Sequence, residues 1–322
     1  MKNNASEPLV IMTQASTDSF EYLWLAFKSK LKKILNRDFS KRQAPGHSGV
    51  VRSALEGLKK LNTPYLFNPK HENDISGNVV VLSGHDALKQ AIRLKNRGQI
   101  NKLFAGPNLV VSPKDAIALF SSNSVDSFIV NSQWVQDFYS EELPSLKNSL
   151  FIWPSGTDSG FWSPSNNDKP NQILIYNKNI DTKIISKYTD QLTYRGISYE
   201  LINYGYYKPK EYYDLLNQSQ TMLYFSQSES QGLALLEAWS MDVPTYVWNG
   251  GIFTFDGRKV NSSPAPYLSE VCGVFFEDAE DFFNQYKKHD ALDFKAREWV
   301  LANGTDKVSA KNLVQHFNLL QI

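Results

Sequence analysis

The sequence predicts two α/β domains, each a mostly parallel sheet covered by helices on both faces. Three observations carry that expectation. The 322 residues exceed what one compact core usually organises. From residue 46 onward strand-like and helix-like segments alternate. A turn-rich stretch, 154-PSGTDSGFWSPSNNDKP-170, with three prolines and two glycines, interrupts the alternation, which then restarts.

A short apolar run, Leu9–Met12, comes first. Residues 18–37 then repeat Phe20, Leu23, Trp24, Phe27, Leu31, Ile34 and Leu35 at spacings of three and four, the single apolar stripe of a helix. Asp18 and Glu21 form a capping-box pattern, and Lys28, Lys30, Lys32, Lys33 and Arg37 crowd the later turns. Two readings stay open: a helix docked on the protein's own core, or a basic helix in peripheral contact with an anionic membrane. The glycine-containing turn 45-PGHSG-49 leads into a helix over Val50–Lys60. Strands are expected at Asn78–Ser83, Lys102–Ala105, Ser127–Asn131 and Ser149–Trp153, with helices such as His85–Asn96 and Gln133–Glu141 between them. Beyond the turn-rich stretch, strands are expected at Gln172–Tyr176, Ser198–Asn203, Met222–Phe225, Thr245–Trp248 and Gly273–Phe276. The helices there are Thr182–Leu192, Pro209–Leu216, Leu233–Ser240, Ala279–His289 and Asp293–Ala302. The expected division is an extension over 1–40, a first domain over 41–160, a second over 161–305, and a helix over 306–322 with a return onto the first domain as one option.

Composition narrows the function classes. A net charge of +1 gives no electrostatic reason to expect nucleic acid as a partner. A single cysteine, Cys272, permits no intramolecular disulfide and no CxxC metal site, and it points to a reducing compartment. The first residues, MKNNASEPLVIMTQ, lack the pattern of a signal peptide, and no run is long and apolar enough for a membrane span. A cytoplasmic protein is expected, with peripheral attachment to the inner face of the membrane as the option raised by residues 18–37. No GxGxxG follows the first strand and no GxxxxGK[ST] occurs, which argues against dinucleotide oxidoreductases and P-loop enzymes. His47, His71, His289 and His316 share no metal-ligand spacing.

The segment richest in chemistry is 221-TMLYFSQSESQGLALLEAWSMDVP-244. A strand ends in a polar loop, and Gly232 stands where the loop turns into a helix. Ligands of open α/β sheets bind beyond the carboxyl ends of strands. The amides of Gln231, Gly232 and Leu233 at the helix start suit an anionic or hydroxyl-rich ligand. Glu229 lies before the helix and Glu237 inside it, placed to approach one ligand from two sides.

In this segment Ser226, Glu229, Gly232, Leu233, Leu236, Glu237, Ala238 and Pro244 fall in register with the donor-binding signature of retaining GT-B glycosyltransferases, group 1 (family 4), which the chain therefore resembles. The stretch 152-IWPSGTDSGFWSP-164 is similar to that family's inter-domain motif, and 46-GHSG-49 sits where the family has a glycine loop. The resemblance covers about residues 46–317 and is strongest in the second half. It implies the GT-B fold, with two Rossmann-like α/β/α domains facing across a cleft, the first for the acceptor and the second for a nucleotide-sugar donor. It implies Glu229 as the catalytic carboxylate against the donor sugar and Glu237 on the ribose. Ser230, Gln231, Gly232 and Leu233 would hold sugar and phosphate, Gly49 would approach the phosphate, and Lys178 and Lys183 occupy the diphosphate-binding positions. Fixed cations aimed at a departing nucleoside diphosphate lower the barrier to its departure. With no Asp-x-Asp stretch near these elements, no metal and no cofactor are expected. Many relatives carry a first-domain histidine against the donor sugar. The matching place in 103-LFAGPN-108 holds Asn108, with His85 in 83-SGHD-86 as the alternative. Ser230 and Gln231 replace the family's Gly and Phe, and Asp242 replaces a glycine after the helix. The expected activity is hexosyl transfer (EC 2.4) from a nucleotide-sugar to a glycan or lipid-linked acceptor, in glycan, polysaccharide or glycolipid synthesis. The alternatives are a non-catalytic binding protein on the same fold, or a sugar-nucleotide epimerase or phosphorylase.

Overall fold

The computed structural model describes residues 7–16, 46–165 and 170–319. The expected helix at 18–37 lies outside the described residues. In the first domain six strands, β1 (Leu9–Met12), β2 (Tyr65–Phe67), β3 (Gly77–Ser83), β4 (Ile100–Asn108), β5 (Ser127–Val130) and β6 (Leu150–Ile152), form a sheet of order β2-β1-β3-β4-β5-β6. Every pairing in it is parallel. Its helices are α1 (Gly46–Lys60), α2 (His85–Asn96), α3 (Ile117–Phe120) and α4 (Gln133–Glu142). In the second domain β7 (Gln172–Asn177), β8 (Ser198–Asn203), β9 (Thr221–Phe225), β10 (Thr245–Trp248) and β13 (Gly273–Phe276) form a parallel sheet of order β13-β10-β9-β7-β8. Its helices are α5 (Thr182–Tyr194), α6 (Pro209–Gln218), α7 (Leu233–Ser240), α8 (Ala279–Tyr286) and α9 (Ala296–Asn303). A two-stranded hairpin, β11 (Thr254–Phe255) and β12 (Arg258–Lys259), stands apart from both sheets.

The runs of β-branched and aromatic residues are continuous because both faces of each strand are covered. In β3, Val79 and Val81 belong to one core cluster while Val80 and Leu82 belong to another, as the two-residue period of a strand requires. In β7, Ile173 and Ile175 face one layer, Leu174 and Tyr176 the other. The apolar run Leu9–Met12 is an inner strand between β2 and β3. Where a turn is expected at 45–49, Gly46 already opens α1, so Gly49 lies within the helix.

The chain passes between the domains twice, side by side. Residues 153–158 run outward and 304–306 return. Thr157 N–H donates to Gly304 C=O at 2.8 Å, and Asp306 N–H donates to Thr157 C=O at 3.1 Å. After the return, α10 (Asp306–Leu319) packs on α1, and its Ala310, Leu313 and Phe317 complete a first-domain core cluster with Val50, Ala54, Leu58 and Phe104. The two helices touch at Gly57, where an added Cβ would stand 2.2 Å from the Asp306 carbonyl oxygen. Among the described residues no helix is long and apolar enough to cross a membrane.

Candidate functional site

In both sheets the strand order reverses at one point, between β1 and β3 in the first and between β7 and β9 in the second. The loops leaving such switch points diverge and leave a crevice. A cleft of about 880 Å³ occupies the space between the domains. The second domain contributes Lys178 just after β7 and the loop 229–232 after β9; the first contributes Asn108 from β4 and Asn131 after β5. Gly49 and Arg52, one helical turn apart on α1, line its opposite wall.

Glu229 is the hub of the second-domain wall. Only 7% of its surface is exposed, and both carboxylate oxygens are hydrogen-bonded. Lys178 Nζ donates to Oε1 at 2.7 Å and to Oε2 at 2.8 Å, Tyr224 OH donates to Oε1 at 2.6 Å, and Ser226 Oγ donates to the same oxygen at 3.2 Å. Burial, with the Glu229 charge beside it, pushes the Tyr224 phenol far up, so that hydroxyl remains a donor. Lys178 also lies 4.9 Å from the centre of the Tyr204 ring, which faces the same cleft.

Glu237 is the counterpart on α7. Gly232 begins that helix with φ 85°, and an added Cβ there would stand 2.9 Å from Leu235 Cδ1, so glycine suits the turn on both counts. The first amides of α7 have no partner within the helix, and Gly232, Leu233 and Ala234 line the cleft. The far end closes with a Schellman pair, Asp242 N–H to Trp239 C=O and Val243 N–H to Ala238 C=O, both at 3.0 Å. Asp242 takes the left-handed φ of 55° that this cap requires. Glu237 faces the cleft with its Oε2 buried and without a hydrogen-bond partner. Burial pushes its carboxyl up to about 8, with Arg52 pulling the other way.

The raised value has a measurable sign. Between the ordinary carboxyl range and about 8 the unfolded chain has lost a proton that the folded protein keeps, so stability falls as pH rises through that window. Glu237→Gln is therefore expected to melt at the wild-type temperature near pH 4.5 and above it at pH 8.5, in thermal melts of ligand-free protein.

Not every residue singled out in the sequence reaches the cleft. Ser230 lines it and is exposed. Gln231 reaches it too, but Ser155 and Asn131 of the opposite side hold its amide. Gln231 Oε1 accepts from Ser155 N–H at 3.0 Å, Ser155 Oγ at 2.8 Å and Asn131 Nδ2 at 3.3 Å. Asn108 lines the cleft with its Nδ2 buried and unpartnered. His85 begins α2 outside the cleft, its Nε2 3.1 Å from the Leu109 carbonyl oxygen. Lys183 is exposed near the start of α5, also outside the cleft lining. Arg52 was not legible as a cleft residue. It pairs with Asp306, whose side chain is wholly buried, through Nη1 at 2.7 Å and Nη2 at 3.1 Å. Lys60 bridges Asp306 at 3.6 Å and Asp158 at 3.2 Å, so α1 is pinned to both inter-domain crossings.

No family profile and no curated protein matches the sequence. Solved structures do match along nearly the whole length. HepE of Anabaena, crystallised with UDP, superposes with a TM-score of 0.56 at 10% identity, over 97% of this chain and 99% of that one. A glycosyltransferase of Rickettsia africae gives 0.58 at 11% identity, over 98% and 99%. Sucrose-phosphate synthase of Thermosynechococcus elongatus gives 0.51 at 12% identity, over 98% and 99%. At such identities the likeness concerns architecture, and the architecture is GT-B: two Rossmann-like domains facing across a cleft.

Proposed function

We propose that this chain is a retaining glycosyltransferase of the family 4 type, which moves a sugar from a nucleotide-sugar donor to a glycan or lipid-linked acceptor. The observation that carries the reading is the convergence of Lys178, Glu229 and Glu237 in one inter-domain cleft, from the loop after β7, the loop after β9 and helix α7. A structure of HepE, an architectural neighbour, holds UDP and glucose, and that ligand pair has the chemistry this cleft would recognise. In the proposed reaction the anomeric carbon–oxygen bond to the diphosphate breaks as the acceptor hydroxyl oxygen bonds to the same face of that carbon. The acceptor proton passes to a leaving phosphate oxygen. Lys178 meets the charge developing on the diphosphate, with the first amides of α7 beside it. Glu229, held by Tyr224, Ser226 and Lys178, presents its carboxylate to the sugar hydroxyls. The buried, partner-free Oε2 of Glu237 is suited to a ribose hydroxyl. No metal or cofactor forms part of the proposal.

A panel of nucleotide sugars tests it by thermal shift and by release of nucleoside diphosphate, with Glu237→Ala as the comparison. One donor is expected to stabilise the wild type by several degrees more than the variant. If no donor separates the two proteins, the transferase reading fails. Stabilisation without any turnover, with or without acceptor, favours the non-catalytic alternative.

A further inference from the structure

The hairpin between β10 and β13 belongs to the second domain by sequence but packs into the first. Asp256 and Gly257 make its two-residue turn with φ of 49° and 71°, the primed geometry that a tight hairpin requires. Val260 is buried in the first-domain cluster, and Phe253 and Phe255 pack against it. The seat is one face of α4. Trp134, Phe138 and Glu142 recur every fourth residue along it. They meet, in turn, Phe253 with ring centres 6.0 Å apart, Phe255 with ring centres 5.4 Å apart, and the guanidinium of Arg258. Glu142 is 5% exposed and also accepts from Ser112 Oγ at 3.0 Å and pairs with Lys114 at 3.3 Å. Arg258 holds its carboxyl below the usual range despite burial.

The strap and the helix it sits on both meet the backbone of one residue. Trp134 Nε1–H, from the first domain, donates to the Glu229 carbonyl at 2.7 Å. Glu229 N–H donates to the carbonyl of Ser263, just past the hairpin, at 2.9 Å. The peptide groups on either side of the Glu229 side chain are thus fixed, one by the opposite domain and one by the strap seated on that domain. Nearby, Tyr267 OH donates to the Asn131 carbonyl at 2.5 Å.

We propose that residues 249–263 are a positioning strap: seated on α4, they set the backbone of Glu229, so that its carboxylate takes its working place only while the two domains are clasped. Trp134 and Arg258 act as positioning residues through Glu229. The functional part rests on the transferase reading; the structural part does not.

The test compares the full-length wild type with Trp134→Phe, Arg258→Met and Arg258→Lys. Trp134→Phe keeps an aromatic ring beside Phe253 and removes the indole N–H with the rest of the second ring, while Arg258→Met loosens the strap without touching Trp134. Hydrogen exchange is followed in peptides covering residues 226–232, with β7 as the internal reference. Faster exchange at 226–232 is expected in Trp134→Phe and Arg258→Met with β7 unchanged, and near-wild-type exchange in Arg258→Lys. On the donor found by the panel, turnover is expected to fall about tenfold to a hundredfold in the first two variants, with KM within about twofold. Unchanged exchange at 226–232 in both variants overturns the strap. Faster exchange with unchanged turnover overturns its link to Glu229 chemistry. Absence of wild-type turnover on every donor counts against the transferase reading alone, and the exchange result still decides the strap.

Discussion

Glu229→Gln is expected to lower sugar transfer by about a hundredfold to a thousandfold while leaving affinity for the nucleoside diphosphate equal or higher. The split follows from the charge balance of the site. The Lys178 ammonium is shared between both oxygens of Glu229, whose charge offsets its own. A neutral amide of the same shape releases Lys178 toward the diphosphate and removes the carboxylate from the sugar. Tyr224 OH and Ser226 Oγ keep an oxygen to donate to, so the loop retains most of its bonds. Initial rates and calorimetric titration with UDP and GDP make the check. A parallel loss of rate and diphosphate affinity would show that Glu229 holds the site together and has no separate part at the sugar. Lys178→Ala predicts the reverse: weak diphosphate binding, and a largely buried carboxylate without its cation, at a cost below the about 3 kcal/mol of a fully enclosed pair because the Lys178 side chain is 26% exposed.

Gly57→Ala is the second large effect, and its sign opposes helix propensity. On an exposed helix the change would stabilise by about 1 kcal/mol. Here the new Cβ would lie 2.2 Å from the Asp306 carbonyl oxygen and 2.6 Å from Ala310 Cβ. Backbone carbonyl and helix cannot yield as a flexible side chain would, so α1 and α10 must part. Overpacking of this kind costs about 1–3 kcal/mol. The expected result is a melting temperature several degrees below wild type, together with weaker donor binding, because Arg52 and Gly49 ride on α1. Thermal melts against Lys59→Ala, an exposed change on the same helix, measure it. A variant as stable as the wild type would mean that this helix contact is slack.

Much of the architecture was legible because strand and helix periods are local. The runs at 78–83, 172–176 and 221–225 carry enough consecutive β-branched and aromatic residues to declare buried parallel strands. The loop between β9 and α7 was legible because Ser226, Glu229, Gly232 and Glu237 lie within a dozen residues of one another, and the structure brings their segment to the cleft. What stayed hidden depends on distant partners. Arg52 reads as an ordinary helix cation until Asp306, 254 residues later, is seen to bind it. Lys183 satisfies a spacing pattern, yet the start of α5 carries it outside the cleft lining. Gln231 occupies a loop position suited to a ligand, but Ser155 and Asn131 engage its amide across the domain boundary. The hairpin carried one local sign, Asp256-Gly257, but strands of two residues each are too short for a period to show.

The twin crossing at 153–158 and 304–306 has a consequence for how the chain matures. The second domain is spliced into the first, whose core cluster stays open until Ala310, Leu313 and Phe317 arrive. Trp153, wholly buried, donates its indole N–H to the Ser309 carbonyl at 2.9 Å, a partner made 156 residues later. Domains usually finish folding in the order in which they leave the ribosome. Here that order is expected to be inverted: the second domain's five-stranded sheet lies wholly within residues 172–276, whereas the first domain's cluster lacks Ala310, Leu313 and Phe317 until α10 has been made.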